Sequence, residues 1–313
     1  MGLILRCFAT SIWLSLNTHS ELNSAAYRIV KLSSGAYSVH SLAHAETFHP
    51  VIGPVAEAQA LYVRQLGLLE RLRDHSSEFV VWDVGLGAAA NALTVILTAR
   101  ALPCSVRLLS FDHTLEPLEF ALAHSQHLGY LAGYDPLLRT LLREREARSK
   151  EGACSIHWTV HLADFPSLLN SPEARALAKP HLIMFDAFSP AKNPAMWTLS
   201  LFSNLFQLLD PTIPCVLPTY SRSTILRVTL LLAGFFVGVG HATGEKEETT
   251  VAANMIDLID EPLDRRWLER ARRSTSAEPL LEPVYRQACL SAENWEKLKV
   301  HPQFGASAHH SLS

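Results

Sequence analysis

The sequence predicts an α/β fold built on a mainly parallel β-sheet. Short apolar runs typical of buried strands alternate along the chain with stretches of helical periodicity, which is the pattern of a parallel sheet flanked by helices. Runs at residues 79–83, 105–112, 155–161 and 181–185 each end in an aspartate or are soon followed by one. Because the carboxyl ends of parallel strands face the crevice where open α/β sheets bind ligands, these acids mark the predicted site.

The 313 residues, of which 48% are hydrophobic, are enough for one large core with a small appendage. Residues 1–26 are expected to be a weakly ordered extension, because their apolar stretch is too short to span a bilayer and lacks a clear cleavage site. Residues 27–74 predict a hairpin that leads into a helix over Val55 to Arg73. The main domain is expected over residues 75–300, followed by a disordered tail over residues 301–313.

The first strand of the main domain runs into a glycine loop and then into a helix from Ala92 to Leu102. Gly85 and Gly87 allow a ligand to approach the backbone closely, and the helix start supplies free N–H groups. With Asn91 at the start of the helix, this loop predicts a site for a nucleoside cofactor.

Two cofactor classes compete for the loop, the dinucleotides NAD and FAD on one side and S-adenosylmethionine on the other. A dinucleotide fingerprint has three glycines and an uncharged turn that receives a pyrophosphate. Here Ala89 holds the third glycine position, and Asp83 precedes the first glycine. A carboxylate repels a pyrophosphate but attracts the ammonium of a methionine moiety, so Asp83 favours S-adenosylmethionine.

Two further aspartates are candidates for binding the nucleoside of the cofactor. Asp112 ends the second strand, where it either accepts hydrogen bonds from ribose hydroxyls or caps a helical stretch from His113 to His127. Asp164 follows the third strand and either bonds the adenine amino group or is a solvated loop acid.

The stretch after the fourth strand carries the candidate reaction site. Asp186 directly follows the apolar run His181 to Phe185. Pro190 and Pro194 restrict the backbone beyond it, so a rigid loop is expected, with Asn193 available to cap the next helix. Further on, the sequence predicts a fifth strand and a closing β-hairpin over residues 234–253.

Three motifs in these segments resemble a known enzyme family. DVGLGAAANAL, SFD and DAFSPAKNPAMWTLSLF are similar to motifs of the bacterial tRNA methyltransferases that complete 5-methylaminomethyl-2-thiouridine at the wobble position, and the resemblance extends from about Tyr27 to about Asn254. It implies a class I S-adenosylmethionine-dependent methyltransferase fold, which is Rossmann-like, and methyl transfer to the primary amine of an aminomethyl uridine in tRNA. It also implies that Asp186 lies next to that amine. A carboxylate there can orient the amine and help to remove its proton, either as a general base or through water.

Several residues near Asp186 and further along the chain are candidates for substrate contacts. Phe188 either offers a ring on which a splayed-out base stacks or packs the loop, and Lys192 either reaches a phosphate or is solvated. Tyr220 matches a family position beside the pocket, and Lys246 resembles a basic residue of the hairpin, although glutamates surround it. Ser189 and Pro190 complete the set. Family members are often fused to an FAD-dependent oxidase. This chain is expected to be too short to contain that domain as well, so we expect the stand-alone form, with a separate oxidase supplying the amine.

The net charge of −3 is unusual for a protein that holds tRNA, because phosphate neutralisation draws on a basic surface. Two basic runs are either local phosphate-binding patches or solvated helix faces. The first is Arg139, Arg143, Arg145, Arg148 and Lys150, which we expect to form one helix, and the second is Arg265, Arg266, Arg270, Arg272 and Arg273.

The five cysteines form no C-x-x-C pair and are typical of a reduced, cytoplasmic protein. No metal site is expected, because His40, His44 and His49 lack a matching arrangement of acids or cysteines. The sequence therefore predicts a cytoplasmic tRNA methyltransferase without membrane contact. The alternatives are a small-molecule N- or O-methyltransferase, which the acidic charge balance favours, a nicotinamide or flavin oxidoreductase, and a non-catalytic tRNA-binding protein.

Overall fold

A computed structural model describes residues 26–242 and 247–305. Its strands are β1 (Tyr27–Lys31), β2 (Tyr37–Ser41), β3 (Glu46–Thr47), β4 (Glu78–Val84), β5 (Ser105–Asp112), β6 (Glu146–Glu151), β7 (Cys154–Leu162), β8 (Leu182–Phe185), β9 (Val216–Thr219), β10 (Phe236–Gly240) and β11 (Thr249–Ala253).

The α-helices alternate with these strands in the main domain. They are α1 (Pro54–Ala58), α2 (Leu68–Asp74), α3 (Ala90–Ala99), α4 (Glu116–Ala123), α5 (Ser125–Leu128), α6 (Asp135–Glu144), α7 (Phe165–Leu169), α8 (Pro172–Ala176), α9 (Leu199–Leu208), α10 (Thr224–Ala233), α11 (Arg265–Arg272) and α12 (Ala292–Lys299). Short 3-10 turns lie at Pro194–Trp197, Ile256–Leu258 and Pro302–Phe304.

An eight-stranded sheet forms the centre of the fold, in the order β10, β11, β9, β8, β4, β5, β7 and β6. The neighbours from β9 to β7 all pair in parallel. β11 is antiparallel to both β9 and β10, and β6 is antiparallel to β7. The predicted α/β fold, with a mainly parallel sheet and a closing antiparallel hairpin, is therefore confirmed.

Both faces of this sheet are buried, because successive side chains of a strand point to opposite faces. In β4, Phe79 and Val81 pack into the core that includes α3, whereas Val80 and Trp82 pack into the core that includes α9 and α10. Since the faces of the central strands are mostly apolar, the polar side chains that can meet a ligand lie at their carboxyl ends. The site lies at these ends.

The N-terminal appendage differs from the prediction in two ways. β1, β2 and β3 form a three-stranded antiparallel sheet rather than a simple hairpin. The helix predicted over Val55 to Arg73 is divided into α1, a π-helical turn at Gln59–Arg64, and α2. The break falls at Gly67, whose φ of 55° is in the left-handed region that interrupts a helix.

The first basic run does not form one helix as predicted. α6 ends where Arg145 adopts a left-handed φ of 62°, and Arg148 and Lys150 lie in the edge strand β6. Ion pairs with neighbouring acids engage Arg139, Arg143 and Arg148. This surface is therefore largely neutralised by its own acids.

The C-terminal segment is ordered beyond the predicted start of the tail at His301. Phe304 is buried in a 3-10 turn, and the side chain of Gln303 bonds both the N–H and the carbonyl of Val237. Residues 301–305 thus pack onto β10. Residues 1–25 of the predicted extension, residues 306–313 of the predicted tail, and Lys246 lie outside the described residues.

Candidate active site

A cavity of about 690 Å³ opens at the carboxyl ends of β4, β5 and β8. The N-terminal sheet supplies one of its walls, through residues 44–50. A cavity of this volume suits a small-molecule cofactor. Most of the predicted site residues line it, namely Gly85, Gly87, Asn91, Asp112, Asp164, Asp186, Phe188, Ser189, Lys192 and Tyr220. Asp83 and Pro190 are not among its lining residues.

The glycine loop fits tightly between two neighbours. A Cβ at Gly85, whose φ is 92°, would lie 2.8 Å from the carbonyl oxygen of Asp186. A Cβ at Gly87, whose φ is 50°, would lie 3.2 Å from the ring of Phe48. Both positions combine a left-handed backbone with a close approach, which is the combination that requires glycine. The loop therefore brings the end of β4 against the backbone that carries Asp186.

Asp112 organises the backbone at the end of β5. Its Oδ2 accepts a hydrogen bond from the Gly87 N–H at 3.0 Å, and its Oδ1 accepts from the N–H groups of His113 and Thr114. The residue before α4 is Leu115, so Asp112 does not cap that helix. Its carboxylate raises the pKa of the adjacent His113 imidazole by hydrogen bonding to it. Asp112 thus links the glycine loop to the second strand at the cavity wall.

Asp164 is a helix cap as well as a lining residue. Its Oδ2 accepts hydrogen bonds from the backbone N–H and the hydroxyl of Ser167, at the start of α7. Asp164 is exposed, as the alternative of a solvated loop acid expects, and its capping of α7 is an additional role.

Asp83 lies beneath the cavity wall rather than on it. Its side chain is fully buried, Oδ2 accepts a hydrogen bond from the Ser110 hydroxyl at 2.7 Å, and Oδ1 has no hydrogen-bond partner among the described residues. Burial raises the pKa of this carboxyl to about 8, although the bond from Ser110 acts in the opposite direction. Alternation along β4 turns this side chain toward the same face as Phe79 and Val81, away from the residues that line the cavity. The attraction of Asp83 for the ammonium of a methionine moiety stays a prediction.

Asp186 lies at the floor of the cavity with 15% of its side chain exposed. The amide of Asn91 donates a hydrogen bond to its Oδ2 at 2.7 Å, and the Nε2 atom of His49 lies 3.5 Å from the same oxygen. Asn91, from α3, thus orients the carboxylate that β8 delivers. A partly exposed carboxylate with a fixed orientation can position an amine and accept its proton.

Phe188 is already covered on one face by the ring of His44. Phe48 contacts Phe188 edge to face, with ring centroids 5.5 Å apart, and the indole of Trp197 donates a hydrogen bond to the Phe188 carbonyl. Of the two roles considered for Phe188, packing of the loop is present, and the ring face that His44 covers is closed to a base.

The loop after Asp186 is fixed by residues from two other parts of the chain. Glu46, in β3, accepts hydrogen bonds from both the backbone N–H and the hydroxyl of Ser189. The hydroxyl of Tyr220 donates to the carbonyl of Ala187 at 3.1 Å. Tyr220 therefore holds the loop that carries Asp186, in addition to lining the cavity.

The sequence analysis did not identify His44, Glu46, His49 or Glu57, all of which line the cavity, and the carboxylate of Glu57 lies 3.9 Å from His49 Nδ1. His44 and His49 were considered only as metal ligands. The spacing of His44 and His49 does not relate them to Asp186. They reach it because the N-terminal sheet docks on the loop after β8, as in the contact between Glu46 and Ser189, which are 143 residues apart. Among the described residues, no group of three or more histidine, cysteine or acidic side chains is arranged to hold a metal ion.

The cavity fits a nucleoside cofactor that carries a positive charge. Glycines at two wall positions leave room for a ligand against the backbone, and Asp112, Asp164 and Asp186 surround that space with carboxylates. A sulfonium is favoured by such surroundings, whereas a pyrophosphate is repelled. These features fit S-adenosylmethionine.

The fold and this site together define a class I S-adenosylmethionine-dependent methyltransferase. A family model described as S-adenosyl-L-methionine-dependent methyltransferase matches residues 137–255, and the predicted cofactor is confirmed. The chain is homologous to proteins named tRNA 5-methylaminomethyl-2-thiouridine biosynthesis bifunctional protein MnmC. It is 27% identical over 210 residues to those of Burkholderia mallei (strain SAVP1) and Burkholderia pseudomallei (strain 668).

Each of these alignments covers 63% of this chain and 31% of the relative, so the chain spans about a third of the length of the bifunctional proteins. The fold is shared with the crystal structure of MnmC2 from Aquifex aeolicus, with a TM-score of 0.63 and 24% identity over 88% of this chain and 83% of that one. No helix within the described residues is both long enough and apolar enough to cross a membrane.

Proposed function

We propose that the protein transfers a methyl group from S-adenosylmethionine to the primary amine of an aminomethyl uridine at the wobble position of tRNA. The observation that carries this proposal is the position of Asp186, which is held by Asn91 at the floor of the cavity while part of its carboxylate remains exposed. The names of the homologous proteins support the choice of substrate.

When bound, S-adenosylmethionine supplies a methyl group on a positively charged sulfur. We assign Gly85, Gly87 and Asn91 to the part of the cavity that holds its methionine portion. Asp112 is assigned to the ribose, since its Oδ2 atom accepts only the Gly87 N–H and has capacity for a further hydrogen bond, whereas Oδ1 is engaged by His113 and Thr114. Asp164 is assigned to the adenine.

Asp186 is the proposed catalytic residue. Its Oδ2 contacts Asn91 and His49, so we assign Oδ1 to the incoming amine. A fixed carboxylate can align the nitrogen lone pair with the methyl group, and positioning of this kind can supply much of the reduction in the barrier.

The substrate side of the cavity is assigned to the loop after Asp186. Phe188, Ser189 and Tyr220 line the cavity beside it, and the exposed Lys192 at its rim is placed to meet a phosphate. Pro190 restricts the backbone of this loop. Lys246, a basic residue of the hairpin, is assigned to a phosphate of the tRNA. A cytoplasmic location and a separate oxidase that supplies the amine are part of the same proposal.

The direct test is methyl transfer to tRNA from cells that accumulate the aminomethyl uridine, followed by mass spectrometry of the digested nucleosides. We expect a mass gain of one methylene on that nucleoside, dependent on both the protein and S-adenosylmethionine. The matched control is tRNA from cells that lack the aminomethyl group. Methylation of small amines but not of tRNA would instead identify a small-molecule methyltransferase, and binding of NAD in place of S-adenosylhomocysteine would identify an oxidoreductase.

A further inference from the structure

We propose that His49 assists proton removal as a positioning residue. It accepts, by way of Asp186, the proton that the reacting nitrogen loses, and Glu57 stabilises the imidazole once it is charged. This inference rests on the proposed role of Asp186 as the residue beside the methyl acceptor. It concerns the appendage of the fold rather than the glycine loop or the strand ends.

The geometry places the imidazole of His49 between two carboxylates. Its Nε2 atom lies 3.5 Å from Asp186 Oδ2, and its Nδ1 atom lies 3.9 Å from Glu57 Oε2. The side chains of His49 and Glu57 are only 11% and 6% exposed, and all three residues line the same cavity. Charges so well shielded from water interact more strongly than charges at the surface.

The backbone of His49 gives an independent indication that its position is functional. Its φ is 47°, in the left-handed region that non-glycine residues seldom adopt. A residue persists in such a conformation only where its surroundings determine it, and residues of this kind concentrate at functional sites. In this chain, that conformation places the imidazole over Asp186.

A second base is useful here because a carboxylate alone is weakly basic. The ordinary pKa of an aspartate is about 4, whereas that of an imidazole is about 6.5, which is closer to neutral pH and better matched to a proton-transfer role. As the N–C bond forms and the electron pair of the C–S bond goes to sulfur, the nitrogen becomes positively charged and releases one proton. Asp186 takes this proton on Oδ1. Half a turn of the protonated carboxyl about its Cβ–Cγ bond then presents the O–H to Nε2 of His49 in its neutral form, which accepts the proton, while Asn91 donates to the other oxygen.

The two phenols beside the relay do not compete for the proton, and Asp83, whose pKa burial raises to about 8, is fully buried beneath the cavity wall with its Oδ2 atom bonded to Ser110. Tyr62, in the π-helical turn, and Tyr220 both face the carboxylates of Asp186 and Glu57. Burial raises the pKa of both phenols well above the ordinary value, and the two carboxylates raise it further. Both tyrosines are therefore neutral at physiological pH. This leaves His49 as the basic group between Asp186 and Glu57.

The first test compares the wild type with His49→Asn, which tolerates a left-handed backbone but cannot relay a proton. We expect the single-turnover rate at saturating substrates to fall by about 10²-fold, with little change in the Kd for S-adenosylhomocysteine. The rate of the wild type should fall more steeply with decreasing pH than that of the variant, because only a neutral imidazole accepts a proton. The control is His127→Gln, since His127 is exposed and lies outside the cavity.

The second test needs no tRNA. Sinefungin is a cofactor analogue that carries an amine in place of the methyl-bearing sulfonium, so its binding brings a positive charge next to Asp186. Calorimetric titrations near pH 6.5, in buffers with different enthalpies of ionisation, count the protons released on binding. We expect the wild type to release more protons with sinefungin than with S-adenosylhomocysteine. His49→Asn should lose this difference, and Glu57→Gln should reduce it.

The outcomes separate the two proposals. A wild-type protein that does not methylate tRNA, but shows the sinefungin difference and loses it in His49→Asn, would overturn the tRNA substrate and support the relay. Active wild-type protein with an unchanged rate and pH profile in His49→Asn would overturn the relay and leave the proposed function standing. An equal proton count for wild type and His49→Asn with sinefungin also overturns the relay.

Discussion

The imidazole of His44 lies face to face with the ring of Phe188, with ring centroids 4.0 Å apart and planes 13° from parallel. Burial lowers the pKa of His44, so the ring is neutral at physiological pH and behaves as an aromatic surface. The two rings come from distant parts of the chain, His44 from the turn between β2 and β3 and Phe188 from the loop after β8. Together they form a stack beside the proposed reaction site.

We predict that the substrate base contacts the face of His44 that is turned away from Phe188, rather than the ring of Phe188. Stacking on an aromatic ring contributes about 1–3 kcal/mol per base, so His44→Ala should raise the KM for tRNA by about tenfold or more. His44→Phe should restore it, because a neutral ring is all that the role requires. Steady-state kinetics with tRNA as the varied substrate give the answer. A His44→Ala variant with a lower KM would show instead that the imidazole blocks Phe188.

Asp186 and Asp112 should separate catalysis from cofactor binding. We predict that Asp186→Asn keeps its affinity for S-adenosylhomocysteine and loses about 10²-fold or more in kcat, since the amide cannot accept the proton. Asp112→Ala removes the acceptor of three backbone N–H bonds and the proposed ribose contact, so its affinity should fall by about tenfold, or about 1.4 kcal/mol. Calorimetry and single-turnover rates on both variants test this. Equal loss of affinity in the two variants would contradict the assigned roles.

Asp83 predicts a dependence of stability on pH. Its pKa is raised to about 8 in the folded protein from an ordinary value near 4, so the folded state binds more protons between these limits. The contribution of Asp83 to stability is therefore fully present below about pH 4 and is lost as the pH rises to about 8, with each pH unit in between removing at most about 1.4 kcal/mol. Asp83→Asn removes this penalty and should be more stable than the wild type at about pH 8.5, with a smaller advantage at about pH 5. Urea unfolding at both pH values measures the difference, and a pH-independent difference would exclude it.

Gly85 is predicted to tolerate no side chain. In Gly85→Ala the new Cβ meets the Asp186 carbonyl at 2.8 Å and the backbone must keep a φ of 92°, so we expect a loss of about 1–3 kcal/mol in stability and a clear loss of cofactor affinity. Gly35→Ala is the matched control, because Gly35 has a φ of 84° and no atom within 4 Å of the added Cβ. Thermal unfolding and binding of S-adenosylhomocysteine should distinguish the two. If both variants lose the same amount, backbone strain alone explains the effect at Gly85.

The sheet and the position of Asp186 were predictable because they depend on local patterns. The apolar runs that became β4, β5, β7 and β8 end where the acids occur, and the glycines at 85 and 87 have the conformations that their loop demands. The direction of a single side chain was less accessible. The charge of Asp83 favours a cofactor contact, yet the alternation of its strand turns the side chain inward, where it accepts a hydrogen bond from Ser110.

The other wall of the cavity could not be predicted, because it is built by contacts between distant parts of the chain. His44, Glu46 and His49 lie in and around a two-residue strand, and their roles follow only from the docking of the N-terminal sheet against the loop after Asp186. Sequence patterns with a period of two or of 3.6 residues report which face of an element is buried, but not which element it meets.

The two hydrogen bonds from Ser189 to Glu46 change what counts as the smallest working unit of this protein. A chain shortened to begin at residue 75 would retain every strand of the large sheet and the whole glycine loop. It would nevertheless lack the imidazoles at positions 44 and 49 and the anchor of the loop beside Asp186. Such a fragment would keep the architecture of a methyltransferase but would lack one wall of the cavity beside Asp186.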